Sequence, residues 1–447
     1  VTRPKHEAQE PTAPGQRTKK LRSPLFWAAP IVVVALLMSL LAALYLGGIL
    51  DPKGSLHGFP IAVVNQDEGD VTPGSDVRQN IGDQIVDGLV AGVPSDKVDL
   101  VQVGIGSARS MLDSAEVYGA IVIPSDFTKR LMILAQSSVV PGDVERPVIT
   151  VFTNPRAGTF GVGIVQSITE PAMATVNETV GKQVSQQVAA AVGSTPVPGA
   201  SRLTLATPID VQTVAHKPLP DGTGNGLSAF YYALLVILAG FTGAMIVNTL
   251  VDGMLGFAPT EFGPRYLHNP AVEISRLQTL AVKWGVMLVL APLVSGLYLW
   301  ISHLLSMPLP NALGLWLYGM FAIAAVGITA MSVLAAFGTA GMIINLIIFV
   351  ILGLPSAGGT IPIEATPPFF GWLASFEPMH QVFLGVRALL YFGEGGSREL
   401  AHAVMMTAIG LVIGLVLGAV VAALYDRKGF HRGVANPEPA ADPATTA

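Results

Sequence analysis

Gly353-Leu354-Pro355-Ser356-Ala357-Gly358-Gly359-Thr360-Ile361-Pro362 is followed by an apolar, aromatic run from Pro367 and Pro368 through Phe369, Phe370 and Trp372 to Phe376. It closes a segment, 284–363, in which 80 residues pass without an Asp, Glu, Lys or Arg, whereas one apolar helix needs about 20 residues to cross a bilayer. Such a segment crosses several times. Paired glycines and prolines cannot continue a helix, and irregular backbone at membrane depth persists only where protein or a wet cavity satisfies its amides. The stretch therefore marks an exit at one membrane face, either as a solvated loop between two spans or as a re-entrant lining. On the second alternative Pro355, Ser356, Gly358, Gly359, Thr360 and Pro362 are candidates for a translocation path. Arg387 joins them as the one strong charge in the apolar segment 382–392; snorkelling to the interface is its simpler explanation.

Composition agrees with a membrane protein: 51% of the 447 residues are hydrophobic, 12% are charged and the mean hydropathy is +0.57. These values exclude an ordinary soluble enzyme. The formal charge of -5 hides a split. Six Lys or Arg stand against two Glu in residues 1–24, while 17 acids stand against 11 bases in 52–226. A basic tail beside a mildly acidic domain suits membrane anchoring and not nucleic acid. No cysteine is present, so neither a disulfide nor a thiolate metal site is available.

Taken in order, residues 1–24 read as a disordered cytoplasmic tail and residues 25–51 as transmembrane helix 1, too long for a signal-peptide core. The preceding Lys19, Lys20 and Arg22 place the N-terminus in the cytoplasm. Residues 52–226 alternate short apolar strands (61–64, 98–103, 118–123, 148–152, 210–215) with amphipathic helices (76–90, 107–114, 125–134), which predicts an extracytoplasmic α/β domain. A long helix is expected over 159–192, interrupted or restarted at Pro171. Its valines at every fourth position form a stripe that packs on its own domain or builds a coiled coil between chains. Residues 227–425 supply five more spans (229–251, 284–302, 313–336, 342–354 and 402–425), with an outer segment 355–399. The expected fold class is thus an α-helical integral membrane protein with six transmembrane helices and an α/β domain between the first and second. Residues 426–447 are a second cytoplasmic tail, the localisation being the cell membrane with both termini inside.

Motifs narrow the function mainly by exclusion. No Gly-Lys-Ser or Gly-Lys-Thr occurs, so ATP hydrolysis through a P-loop is ruled out. The histidines are scattered, without the helical pair of a zinc hydrolase. Asp67, Glu68 and Asp70 read as a solvated turn or a weak cation site, and Asn177-Glu178-Thr179 as a chance glycosylation triplet. No catalytic, cofactor-binding or metal-ligating residue is assigned, and no cofactor is expected. None of the six spans as drawn holds a charge in its interior, which disfavours a self-energised proton antiporter. On the inner face Glu261, Arg265, Glu273 and Arg276 form the clustered charges of the loop after the second span, and they are candidates for docking a partner that supplies energy.

Several stretches together resemble the YhgE/Pip-like (phage infection protein-like) family of the type-2 ABC-exporter permease superfamily. They are the anchor followed by Gly47-Gly48-Ile49-Leu50-Asp51-Pro52, the segment Ile61 to Asp67, the stretch Pro355 to Pro362, the run Pro367 to Phe370, and Gly385-Val386-Arg387. The resemblance implies a permease-like, homo- or heterodimeric membrane component of an exporter for hydrophobic or amphipathic compounds, energised by a separate ATP-binding subunit. The alternative it leaves is a non-transporting cell-surface receptor or secretion-system scaffold, phage infection protein-like or EsaA-like. No enzymatic activity is expected, and the bilayer is the first partner.

Overall fold

The computed structural model describes residues 24–71, 78–137, 145–192, 199–430 and 432. The chain begins there with helix α1 (Pro24–Ile49), whose side chains stay largely exposed. A mixed α/β domain follows: β1 (Phe59–Asn65), β2 (Asp70–Val71), β3 (Arg78–Gln79), α2 (Ile81–Gly92), β4 (Val98–Gln102), α3 (Ile105–Asp113), β5 (Gly119–Ile123), α4 (Phe127–Ser137), β6 (Val148–Thr153), α5 (Thr159–Val192), α6 (Gly199–Ala206) and β7 (Asp210–Ala215). Its main sheet has the order β4-β1-β5-β6-β7, antiparallel only between β5 and β6. Side chains alternate along a strand. Phe59, Ile61 and Val63 accordingly join the core under α2, α4 and α5, while Ala62 and Val64 pack with Ala108 and Leu112 of α3 on the other face.

The 34-residue α5 runs unbroken through Pro171, and Val180, Val184 and Val188 are buried within the domain. The valine stripe is thus a domain contact. Asn177 has a structural task, its side chain donating to the Ile209 carbonyl at 2.8 Å and accepting from the Ile209 N–H at 3.0 Å.

Among the described residues, five helical stretches are long and apolar enough to cross a membrane: 27–49, 227–254, 276–304, 312–337 and 378–427. The protein is a multi-pass membrane protein. Helices α7 (Leu227–Met254), α8 (Arg276–Leu304) and α9 (Ala312–Phe337) alternate in direction between a face that carries the α/β domain and a far face. Without a hydrophobic drive inside lipid, helices associate by close packing of small residues. Central α9 shows this: a Cβ at Gly240 of α7 would lie 2.6 Å from Val326, and one at Gly327 would lie 2.4 Å from Met287 of α8.

Beyond α9 the structure departs from the expected spans. The fifth, expected over 342–354, is a short helix α10 (Ala340–Leu346) prolonged by a π-helical turn over Ile347–Ile351. Twelve residues rise about 18 Å, against a hydrocarbon core of about 30 Å. After an irregular passage come α11 (Pro368–Ala374), α12 (Pro378–Arg387, prolonged by a π-helical turn to Phe392) and α13 (Ser397–Arg427). Between α7 and α8 a two-stranded hairpin, β8 (Thr260–Phe262) with β9 (Arg265–Leu267), occupies the far face where a plain loop was expected. Residues 271–275 are not helical, and α8 starts at Arg276 with a capping box from Ser275 and Gln278.

Candidate functional site

Helices α11 and α12 form a re-entrant hairpin. At the domain face Phe370 of α11 meets Gly48 of α1, and the Tyr391 hydroxyl shares a 2.7 Å hydrogen bond with Ser228 at the start of α7. Between them Phe376 and Pro378 line one depression together with Val326 and Thr329 of α9. Glu377 caps α12, one carboxyl oxygen accepting from the His380 N–H at 3.0 Å. Its other oxygen, Oε1, is buried without a hydrogen-bond partner.

Beside the hairpin tip lies a cavity of about 250 Å³, walled by Val326 and Thr329 of α9, Phe349 beyond α10, Gln381 of α12, and Thr407 and Gly410 of α13. Its surface is mostly apolar. Gln381 ties the hairpin together through Nε2, which donates to the Ala374 carbonyl at 2.9 Å, and leaves Oε1 unpartnered. A Cβ added at Gly410 would meet nothing within 4 Å.

The path candidates are brought together, but as packing. Ser356 is fully buried and donates to the Leu352 carbonyl at 2.8 Å. Pro355 packs near Gly48, Gly358 has φ +72° and lies against His380, and a Cβ at Gly359 would come within 2.4 Å of Phe230. Pro362 is buried and Thr360 exposed. His380 holds the stretch to α12, its Nδ1 standing 2.9 Å from the Ala357 carbonyl. None of these residues lines the cavity, and its polar wall groups Gln381, Thr329 and Thr407 carry no signal singled out from the sequence. Glu377-Pro378 carried the available signal: a capping carboxylate followed by proline at the first helical position.

Arg387 is also spent. Its guanidinium donates to Glu399 Oε1 at 2.5 and 3.0 Å and to the Ala157 carbonyl of the α/β domain at 3.1 Å, at 11% side-chain exposure. Around it Tyr118 donates to Glu364 at 2.9 Å, and Arg156 donates to the Tyr391 carbonyl at 2.7 Å. Burial, and then the Glu364 charge, push the Tyr118 phenol well above its ordinary value. At the rim burial opposes the charge of Asp113, yet Lys217 and His216 hold its carboxyl below the usual range. The Arg387–Ala157 and Arg156–Tyr391 bonds hold the α/β domain to α12 and its extension, and the Tyr118–Glu364 bond holds it to the segment before α11.

On the far face the docking candidates separate. Glu261 and Arg265 stand exposed on the hairpin and Glu273 is exposed before α8. Arg276 is engaged: its backbone N–H donates to Asp426 at 2.8 Å, and its guanidinium donates to the Phe430 carbonyl and lies over Tyr425. Nor are the membrane helices free of buried charge. Lys283 lies inside α8 and not in the loop, 2.6 Å from Asp252 of α7, which also pairs with Arg432 at 2.7 Å. With Glu377 this removes the premise that the bundle lacks interior ionisable groups.

The profile of a family described as a protein of unknown function (DUF3533) matches residues 30–417. No curated protein and no solved structure matches the chain.

Proposed function

This chain belongs to the DUF3533 family of proteins of unknown function, and for it we propose the role of permease-like membrane component of an exporter for hydrophobic or amphipathic compounds. A separate ATP-binding subunit energises it, docking on the far face at the β8–β9 hairpin through Glu261, Arg265 and Glu273. The protein resides in the cell membrane as a homo- or heterodimer, with the α/β domain extracytoplasmic. The observation that carries this reading is the cavity beside the hairpin tip, which opens past the exposed Phe376, Ile409 and Ile413, since ligand sites are mainly apolar with a few placed polar groups. Gln381, Thr329 and Thr407 supply such groups. The alternative, a non-transporting receptor or secretion-system scaffold, draws support from the packed state of residues 355–362.

Filling the cavity separates the two. Gly410→Leu adds bulk into open space, so the protein is expected to insert and elute as wild type. Efflux of a lipophilic fluorescent dye from cells overproducing it should fall toward that of cells lacking the protein. An ATPase should co-purify in fixed stoichiometry with wild type, and less so after Arg265→Glu. Unchanged efflux and no co-purifying ATPase would leave the receptor or scaffold reading.

A further inference from the structure

A groove runs along the α/β domain between α2 and α5, away from the cavity described above. Two depressions of about 380 and 210 Å³ share Gly92, Val93, Ala172 and Thr175 and so form one channel. Their volumes lie in the range of small-molecule sites, roughly 300–1,000 Å³ together. One end is bounded by Pro52 and Lys53, directly after α1 leaves the bundle at Ile49, and by Lys97. From there it follows α5 from Ile164 to Gln183, a rise of about 28 Å, longer than the roughly 15 Å depth of one hydrocarbon leaflet.

The chemistry changes along it. The walls are mostly apolar, with Ile85, Leu89, Ile168 and Val176 among them, and Gln84, Thr179 and Gln183 stand at the end away from the lysines. Gly88 and Gly92, one helical turn apart on α2, leave the floor open: a Cβ at either would meet nothing within 4 Å. At the membrane end stand the two lysines, neither in an ion pair among the described residues. Pro171 lines this end as well and, lacking an N–H, leaves the Ser167 carbonyl without its helical donor. An apolar trough that opens at a membrane exit, with unpaired cations at its mouth, matches one kind of molecule.

We propose that this groove binds one acyl chain of an anionic lipid from the adjoining leaflet, with Lys53 and Lys97 holding the headgroup. The charge at the mouth and the continuity with the end of α1 select a lipid over a peptide or a second copy of the chain. The site is independent of the exporter role, because it serves a permease and a receptor alike.

The test uses the full chain in nanodiscs of phosphatidylcholine containing a small fraction of phosphatidylglycerol with a diazirine in one acyl chain. After illumination, adducts are mapped by mass spectrometry. Adducts on α2 and α5 are expected, and Gly88→Leu with Gly92→Leu should abolish them while elution and helicity stay those of wild type. Lys53→Gln with Lys97→Gln should lower labelling about thirty-fold and leave the weaker labelling by a phosphatidylcholine analogue unchanged. Equal labelling by the two lipids, or labelling that survives the filled groove, overturns the proposal. So does an absence of α2 and α5 adducts together with an oligomeric state that changes on filling the groove, which would assign the groove to a second copy.

Discussion

Arg387 stands in the sequence as a lone charge in an apolar run, for which snorkelling to the interface is the simpler explanation and a place on a translocation path the alternative. The structure instead gives it Glu399, twelve residues on, and the Ala157 carbonyl. That pairing was illegible because it depends on α12 turning back beside α13. Removing one partner of a buried ion pair strands the other charge and costs about 3–5 kcal/mol. Arg387→Ala should therefore lower the thermal unfolding midpoint of the detergent-purified protein sharply. Adding Glu399→Gln to Arg387→Ala should recover part of the loss, since no unpaired carboxylate then remains. A double variant less stable than the single would show that the pair does not act in this way.

At the scale of elements, regular periodicity was read well and depth was not. The alternation in residues 210–215 and the apolar stripe of 159–192 correspond to β7 and α5 without a shift. A two-residue Gly263-Pro264 turn between alternating flanks was the signal for the β8–β9 hairpin. In contrast, the composition of 342–354 does not distinguish a full crossing from α10, because apolarity records contact with lipid or core but not how far a helix travels. The same limit hid the re-entrant hairpin, whose tip is as apolar as its base. Gly359 tests how the stretch 355–362 is packed. Gly359→Val must displace the Phe230 ring, from which a Cβ at that position would stand 2.4 Å. The variant should give a lower yield of monodisperse protein by fluorescence-detected size-exclusion chromatography, and Phe230→Leu in the same chain should restore part of it. A wild-type profile for Gly359→Val alone would mean that the packing there is loose.

For the whole molecule the shortened α10 raises the question of parity, since an odd number of crossings would put the chain ends on opposite sides. Contacts decide where each end lies. Tyr391, at the end of α12, bonds to Ser228 at the start of α7, so α10, the stretch 355–362 and the hairpin together carry the chain back to the domain face. Helix α13 then descends to the far face, where Asp426 accepts from the Arg276 and Leu277 N–H groups at the start of α8. Pro24 begins α1 at that same face, because the other end of α1 meets Pro355 and Phe370 through Gly48. Both ends of the described chain thus share the face opposite the α/β domain, the face that the proposed topology expects in the cytoplasm. The chain has no cysteine, so single cysteines report without background. Ser95→Cys, exposed in the α/β domain, should react with an impermeant maleimide in intact cells, and Lys428→Cys, exposed beyond α13, only after the membrane is opened. Labelling of both in intact cells would contradict the path traced through the hairpin, and the reverse pattern would invert the protein in its membrane.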